Sequence, residues 1–320
     1  MSAQRLVPAN TYPGPTSLPR GRTLDVRSAD GTRLHTQVFG PADGYPVVLS
    51  HGITCALRVW HEQIRDLSRD YRVIAFDHRG HGRSDVPRRG RYSLNHLAAD
   101  LDAVLSTALR PGERAVVAGH SMGGIAITAW AERYRHRVAQ RLDAAALINT
   151  TTGELLEEVQ LYRMPARLSA ARVAAAGRML KTFGSIPVLP RTEAPTRRFV
   201  SALAVGRDAD PAIAQFVYEL YATTPPAGRG GCARALVDGL GPRRRIGVRN
   251  LTVPTLVIGS ERDRLLPVGQ SRKIAAELPD LFEFVTLPGG HCAILERPDE
   301  VNRRLRALIE NAGGAARLSS

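Results

Sequence analysis

The chain has 320 residues, 43% of them apolar, which suits one large α/β domain or a core domain with an insertion and excludes disorder of the whole chain. Its net charge of +14 is carried almost wholly by arginine, Lys181 and Lys273 being the two lysines, and aromatics are only 5%. With no basic patch interleaved with aromatics and no recognisable module, that composition argues against nucleic acid as a partner. The excess reads as solvated arginines on an enzyme surface, with attraction of acidic substrates or anionic lipid as the alternative. Three cysteines at wide spacing, Cys55, Cys232 and Cys292, fit neither a disulfide framework nor a zinc site and point to a reducing, cytoplasmic setting.

Residues 1–22 carry Pro8, Pro13, Pro15 and Pro19 with Arg5, Arg20 and Arg22, and read as an extended arm rather than a signal peptide. TLDVRSADGTRLHTQVFG (23–40) reads as two alternating strands around a turn at Asp30-Gly31. Buried strands follow at 46–52, 71–77, 113–119 and 143–150, with helices at 58–69, 93–109 and 124–134 between them, the second capped by Ser93. These strands are apolar throughout instead of alternating, as expected of a parallel sheet covered on both faces. From 151 to 249 the pattern turns to helical stretches broken by Pro and Gly. A strand at 251–259, a helix at 269–278, a strand at 281–287 and a helix at 298–312 then resume the alternation. The expected organisation is a core of 23–150 and 250–313 with a helical cap inserted at 151–249. No apolar stretch approaches the 18 residues of a membrane span.

Gly119-His120-Ser121-Met122-Gly123 falls between the strand 113–119 and the helix 124–134. It fits the G-x-S-x-G elbow, in which a nucleophilic serine stands on a strained strand-to-helix turn too tight for side chains two residues either way. Such a serine needs a base, and the base an orienting acid. His291, after the strand 281–287 and two glycines, is the candidate base. Asp263, in the loop after the strand 251–259, is the candidate acid; Glu261 is its neighbour and competitor, and Pro267 four residues on favours Asp263. The order Ser, Asp, His is that of α/β-hydrolases. Backbone N–H groups of Ile53 and Met122 are the expected oxyanion donors.

HGITC (51–55), DHRGHGRS (77–84), GHSMGG (119–124), GSERDRLLP (259–267) and GGHCAILERP (289–298) together resemble, in order, the α/β-hydrolase fold serine hydrolases, over residues 23–312 apart from the insertion. The resemblance implies a mostly parallel eight-stranded sheet with helices on both faces and a helical cap after the sixth strand. It implies an esterase- or lipase-like enzyme acting on small, apolar carboxylic esters without metal or organic cofactor, with Asp77 and Ser84 structural. Serine at 121 argues against relatives with an aspartate nucleophile, and HGITC lacks the HGGG loop of one lipase group. The motifs leave carboxylesterase, monoacylglycerol lipase, thioesterase, carbon–carbon bond hydrolase and cofactor-free perhydrolase open, with a non-catalytic ligand-binding homologue as the rival outside enzymes. Oligomeric state is not legible.

Residues 151–250 hold 15 basic and 8 acidic side chains, a net of +7. Arg163, Arg167, Arg178 and Lys181 fall within about 60° of a helical wheel. That stripe reads as an ordinary amphipathic cap helix or, functionally, as a lid making peripheral contact with anionic membrane or steering acidic substrates. Met164, Met179, Leu180 and Phe183 are the candidate lining of an acyl pocket. Trp60, Trp130 and Cys292 read as core.

Overall fold

The computed structural model describes residues 17–88, 90–155, 177–178, 182, 185, 187, 192–241 and 244–318, with side chains as far as 313. Eight strands form one sheet: β1 (Arg22–Arg27), β2 (Arg33–Phe39), β3 (Pro46–Ser50), β4 (Arg72–Phe76), β5 (Ala115–His120), β6 (Leu142–Ile148), β7 (Thr255–Ser260) and β8 (Leu281–Leu287). Their order is β1-β2-β4-β3-β5-β6-β7-β8. The first two strands form the expected hairpin, β2 runs antiparallel to β4, and every later pairing is parallel. The fold is that of the α/β-hydrolases.

The unbroken apolar runs have a direct cause. Successive side chains leave opposite faces of a strand. Val48, Val117, Ala145 and Val257 join a core with Leu97, Leu101, Met122 and Trp130. Val47, Leu49, Val116, Ala118, Ala146 and Ile258 join a second core with Trp60, Ile64, Leu305 and Leu308. Trp60 and Trp130, both read as core, are fully buried. The helices over these faces are α1 (His61–Leu67), α2 (Leu94–Ala108), α3 (Met122–Arg133) and the single turn α4 (Val138–Arg141). Ser93 caps α2 by accepting the His96 N–H at 3.3 Å. Part of the helix expected from residue 58 is a 3-10 turn, Leu57–Trp60, and the strand expected from 251 begins at Thr255, after another 3-10 turn at Val248–Asn250.

Between β6 and β7 lie α5 (Glu193–Ala204), α6 (Pro211–Thr223) and α7 (Pro226–Gly239). Asp210 caps α6, with Pro211 in its first turn. A bridge between Gly153 and Arg245, with the Ile246 N–H donating to the Thr152 carbonyl, brings the entry and exit of this stretch together. The chain closes with α8 (Val268–Glu277), the single turn α9 (Ala293–Glu296) and α10 (Pro298–Leu318), whose buried Val301, Leu305, Leu308 and Ala312 form one stripe. No helix among the described residues is long and apolar enough to cross a membrane.

The strand order places the site. After β3 the chain moves outward to β4, whereas β5 adds on the other side of β3. The loops leaving β3 and β5 therefore diverge and open a crevice at the carboxyl ends of the strands, where ligands of open α/β sheets bind.

Candidate functional site

Ser121 occupies the junction of β5 and α3 with φ 54° and ψ −119°. A non-glycine residue held there carries strain of about 1–3 kcal/mol, tolerated only where its surroundings over-determine it. They do so here. The Ser121 N–H donates to the Ile148 carbonyl at 3.0 Å, and its carbonyl accepts from Gly124 N, Ile125 N and the Thr150 hydroxyl. The flanking glycines are a steric requirement. A Cβ on Gly123 would lie 2.0 Å from the Ser50 carbonyl oxygen, and one on Gly119 would lie 2.5 Å from the Gly123 carbonyl carbon. Among the described residues the Ser121 hydroxyl makes no hydrogen bond.

His291 and Asp263 meet as the motif order suggested. The His291 Nδ1 lies 2.8 Å from Asp263 Oδ2, and the two side chains are almost wholly buried. An ionised carboxylate only accepts, so the tautomer of the neutral ring that fits this contact has its proton on Nδ1 and its lone pair on Nε2. The other oxygen, Oδ1, accepts from Leu265 N at 2.9 Å and Leu266 N at 2.8 Å, and Oδ2 accepts a second bond, from Asn149 Nδ2. Glu261, the competitor for this position, is exposed.

The loop bearing His291 is tied on two sides. The His120 Nε2–H donates to the His291 carbonyl at 2.9 Å, with the two rings 4.9 Å apart. Glu296 Oε2 accepts from Gly290 N at 2.9 Å and from Gly206 N at 3.1 Å, and Cys292 N donates to the Ala204 carbonyl. The segment after α5 is thus fastened to the loop that carries the candidate base. Burial pushes the Cys292 thiol well up, which agrees with its reading as an apolar filler.

The other side of the crevice is the loop after β3. Ile53 N and Met122 N donate no hydrogen bond among the described residues, so both N–H groups are available. Thr54 follows with φ 63°, an unfavourable value for a β-branched residue. It is held there from below and above. Its N–H donates to His81 Nε2 at 3.1 Å, and its carbonyl accepts from the Thr224 hydroxyl at 3.2 Å. His81 must then carry its proton on Nδ1, which faces the Arg79 carbonyl at 3.0 Å.

His81 belongs to the turn 77–84, and the structure explains that motif as scaffolding. Asp77 Oδ1 accepts from Leu57 N, its Oδ2 accepts from Arg83 N, and the Ser84 hydroxyl donates to the Asp77 carbonyl. Arg79 is fully buried in a two-pronged pair with Asp100, both contacts 2.6 Å, and also reaches Asp30. His51 Nε2 accepts the His78 N–H and its Nδ1 faces the Gly52 carbonyl, while His78 Nε2 lies 2.9 Å from the Ser50 hydroxyl. Burial keeps these imidazoles neutral: it lowers His78 to about 3, His81 to about 4 and His120 to about 3, and carries His51 well down as well.

Sequence reasoning placed Ser121, Asp263, His291, Ile53 and Met122 at the strand ends where they lie, but it missed the supporting groups. His81, His120, Glu296 and Asn149 carried one signal, their position just past a strand or in a motif turn. Met164, Met179, Leu180 and Phe183, the candidate pocket lining, lie outside the described residues, as does most of the basic stripe at 161–181.

The model of a family described as alpha/beta hydrolase fold matches residues 45–298. A monoacylglycerol lipase of Mycolicibacterium smegmatis is 30% identical over 284 residues, covering 84% of this chain and 89% of that protein. A non-heme chloroperoxidase of Streptomyces lividans is 44% identical over 100 residues, which is 31% of this chain and 35% of that one. Among solved structures, the enol-lactonase from Burkholderia xenovorans LB400 superimposes with a TM-score of 0.71 at 23% identity, covering 90% of this chain and 99% of that one.

Proposed function

Because the chain belongs to the α/β-hydrolase fold family, we propose that it is a serine hydrolase of carboxylic esters with an apolar acyl or alcohol part. Ser121 Oγ attacks the ester carbonyl while His291 Nε2 takes its proton. The oxyanion is received by the Ile53 and Met122 N–H groups, which meet it without reorganisation. His291 then gives the proton to the departing alcohol, and Asp263 holds the ring in the required tautomer and stabilises the imidazolium. Water, activated by the same imidazole, releases the acid from the acyl-enzyme.

The observation that carries this reading is the serine forced to φ 54° at the carboxyl end of β5, in a sheet whose β7 and β8 lead into a hydrogen-bonded His291–Asp263 pair. The test is labelling with a fluorophosphonate followed by peptide mass mapping. Covalent modification at Ser121 is expected; a folded protein that stays unmodified there overturns the assignment.

The resemblance to a protein named a chloroperoxidase supports a second reading on the same residues. Hydrogen peroxide in place of water would take the acyl group from Ser121, giving a peracid and the free serine. Peroxide- and carboxylate-dependent halide oxidation, abolished by Ser121→Ala, would mark that activity; its absence beside robust ester cleavage would leave the first reading.

A further inference from the structure

We propose that Asn149, aided by Thr150, is a positioning residue that holds the acid and the nucleophile of this site in register. The proposal rests on the serine-hydrolase reading above. Asn149 is the first residue past β6 and is fully buried. Its N–H donates to the Ile258 carbonyl at 2.8 Å. Its Nδ2 lies 3.0 Å from Ser260 Oγ and 3.0 Å from Asp263 Oδ2, the oxygen that also faces His291 Nδ1. The direction of the amide is fixed by chemistry: an ionised carboxylate accepts only, so the amide must turn its NH₂ group towards Asp263. The Asn149 Oδ1 on the other side has no hydrogen-bond partner among the described residues, so the contact with Asp263 is kept at the expense of an unsatisfied buried oxygen.

The neighbouring residue reaches the other reacting element. The Thr150 hydroxyl donates to the Ser121 carbonyl at 2.8 Å. The sheet order explains why this dipeptide can do both. The nucleophile leaves β5 and the acid leaves β7, and β6 lies between them. Two successive residues at the carboxyl end of β6 point to opposite neighbours, so one touches the acid and the next the elbow.

The backbone narrows the choice of residue. Asn149 has φ 44°, in the left-handed region that Gly, Asn and Asp adopt most readily. Glycine would bring no donor. Aspartate would set a second carboxylate against Asp263. Asparagine meets the conformational and the electrostatic requirement together. Its N–H shares Oδ2 with the imidazole, so it fixes the carboxylate plane and draws on the same acceptor that holds His291. Backbone donors from Leu265 and Leu266 fix the other oxygen. Without Asn149 the carboxylate would be free to turn about those two bonds, and Oδ2 would become a stronger acceptor for His291.

Asn149→Gly is the informative variant, since it keeps the left-handed backbone and removes only the side chain. With p-nitrophenyl butyrate as substrate, kcat is expected to fall about tenfold, as for loss of a hydrogen bond to a charged group, with KM little changed. The far-downfield proton resonance of the His291–Asp263 hydrogen bond is expected to move further downfield. Unchanged kcat and resonance overturn the proposal, as does an equal effect on KM without loss of kcat. If Asn149→Gly does not fold, Ser260→Ala decides: it removes one of the two groups that hold the amide, and a smaller drop in kcat supports the proposal while none refutes it. Ser121→Ala is assayed alongside. If that variant keeps full turnover, the serine-hydrolase reading falls, whereas the resonance, which needs no substrate, still tests Asn149.

Discussion

Gly123→Ala tests the steric logic of the elbow most directly. The added methyl would stand 2.0 Å from the Ser50 carbonyl oxygen and 2.5 Å from its carbonyl carbon, so about 1 Å of separation must be found before the contact becomes tolerable. Ser50 cannot recede, because β3 is paired with β4 on one side and β5 on the other. The start of α3 must therefore lift from the sheet, against the packing of Ile125, Ala126 and Trp130, all buried. Overpacking of this kind costs about 1–3 kcal/mol. At about 2–4 °C per kcal/mol for a large domain, Tm should fall by a few degrees to roughly 10 °C. Since Ser121 sits on the same turn, a displacement near 1 Å is also expected to lower kcat about 100-fold. Thermal melting and ester turnover measure the two effects. Gly313→Ala, in α10 with open space around it, is the control and should be neutral or stabilising by about 0.5–1 kcal/mol. A Gly123→Ala protein with the parental Tm and kcat would refute the argument that the glycine is required by Ser50.

Three further outcomes follow from the same geometry. Asp263→Asn should leave the fold intact but present the wrong hydrogen-bonding face to His291 Nδ1, lowering kcat by about 10³- to 10⁴-fold; a loss under tenfold would separate Asp263 from the reaction. Asp100→Ala leaves the buried Arg79 with Asp30 as its one carboxylate partner among the described residues, and should cost about 3–5 kcal/mol; urea denaturation reads this, and a loss below about 1 kcal/mol would contradict the anchoring role given to the pair. The buried imidazoles predict acid sensitivity. Above pH 6.5 they are neutral whether the chain is folded or not. Below it the unfolded chain takes protons that folded His78, His81 and His120 refuse until about pH 3–4. Stability should thus fall steadily from pH 6.5 downwards, by up to about 1.4 kcal/mol per pH unit for each histidine, and a urea midpoint at pH 5 equal to that at pH 7 would sink this account.

Much of this architecture was legible beforehand, because it is written in local pattern. Apolar runs such as 46–50 and 115–118 mark strands covered on both faces whatever their neighbours are. The glycines around Ser121 mark a tight turn; the exclusion at Gly119 acts within the turn itself, whereas the one at Gly123 comes from Ser50 on the neighbouring strand. The order of Ser121, Asp263 and His291 limited the candidates to loops after particular strands. Element edges were less legible, as at 251–254, where a Leu-Thr-Val-Pro run has strand composition but lies outside the ladder, which begins at Thr255.

What the chain order alone determined is the alternation of strands and helices, the strained serine turn between β5 and α3, and the short set of residues that could act with it. Only the tertiary structure decided that Asp263 and not Glu261 meets His291. It also decided that His81 holds Thr54, that His120 and Glu296 hold the loop of His291, and that Asn149 and Thr150 reach across β6 to both neighbours. The reason is physical. Steric and periodic constraints act between residues a few positions apart and leave a pattern in the sequence. A hydrogen bond between Asn149 and Asp263 depends instead on two strand ends, far apart in the chain, being brought side by side by the sheet, and no spacing in the sequence records which side chain will then face which.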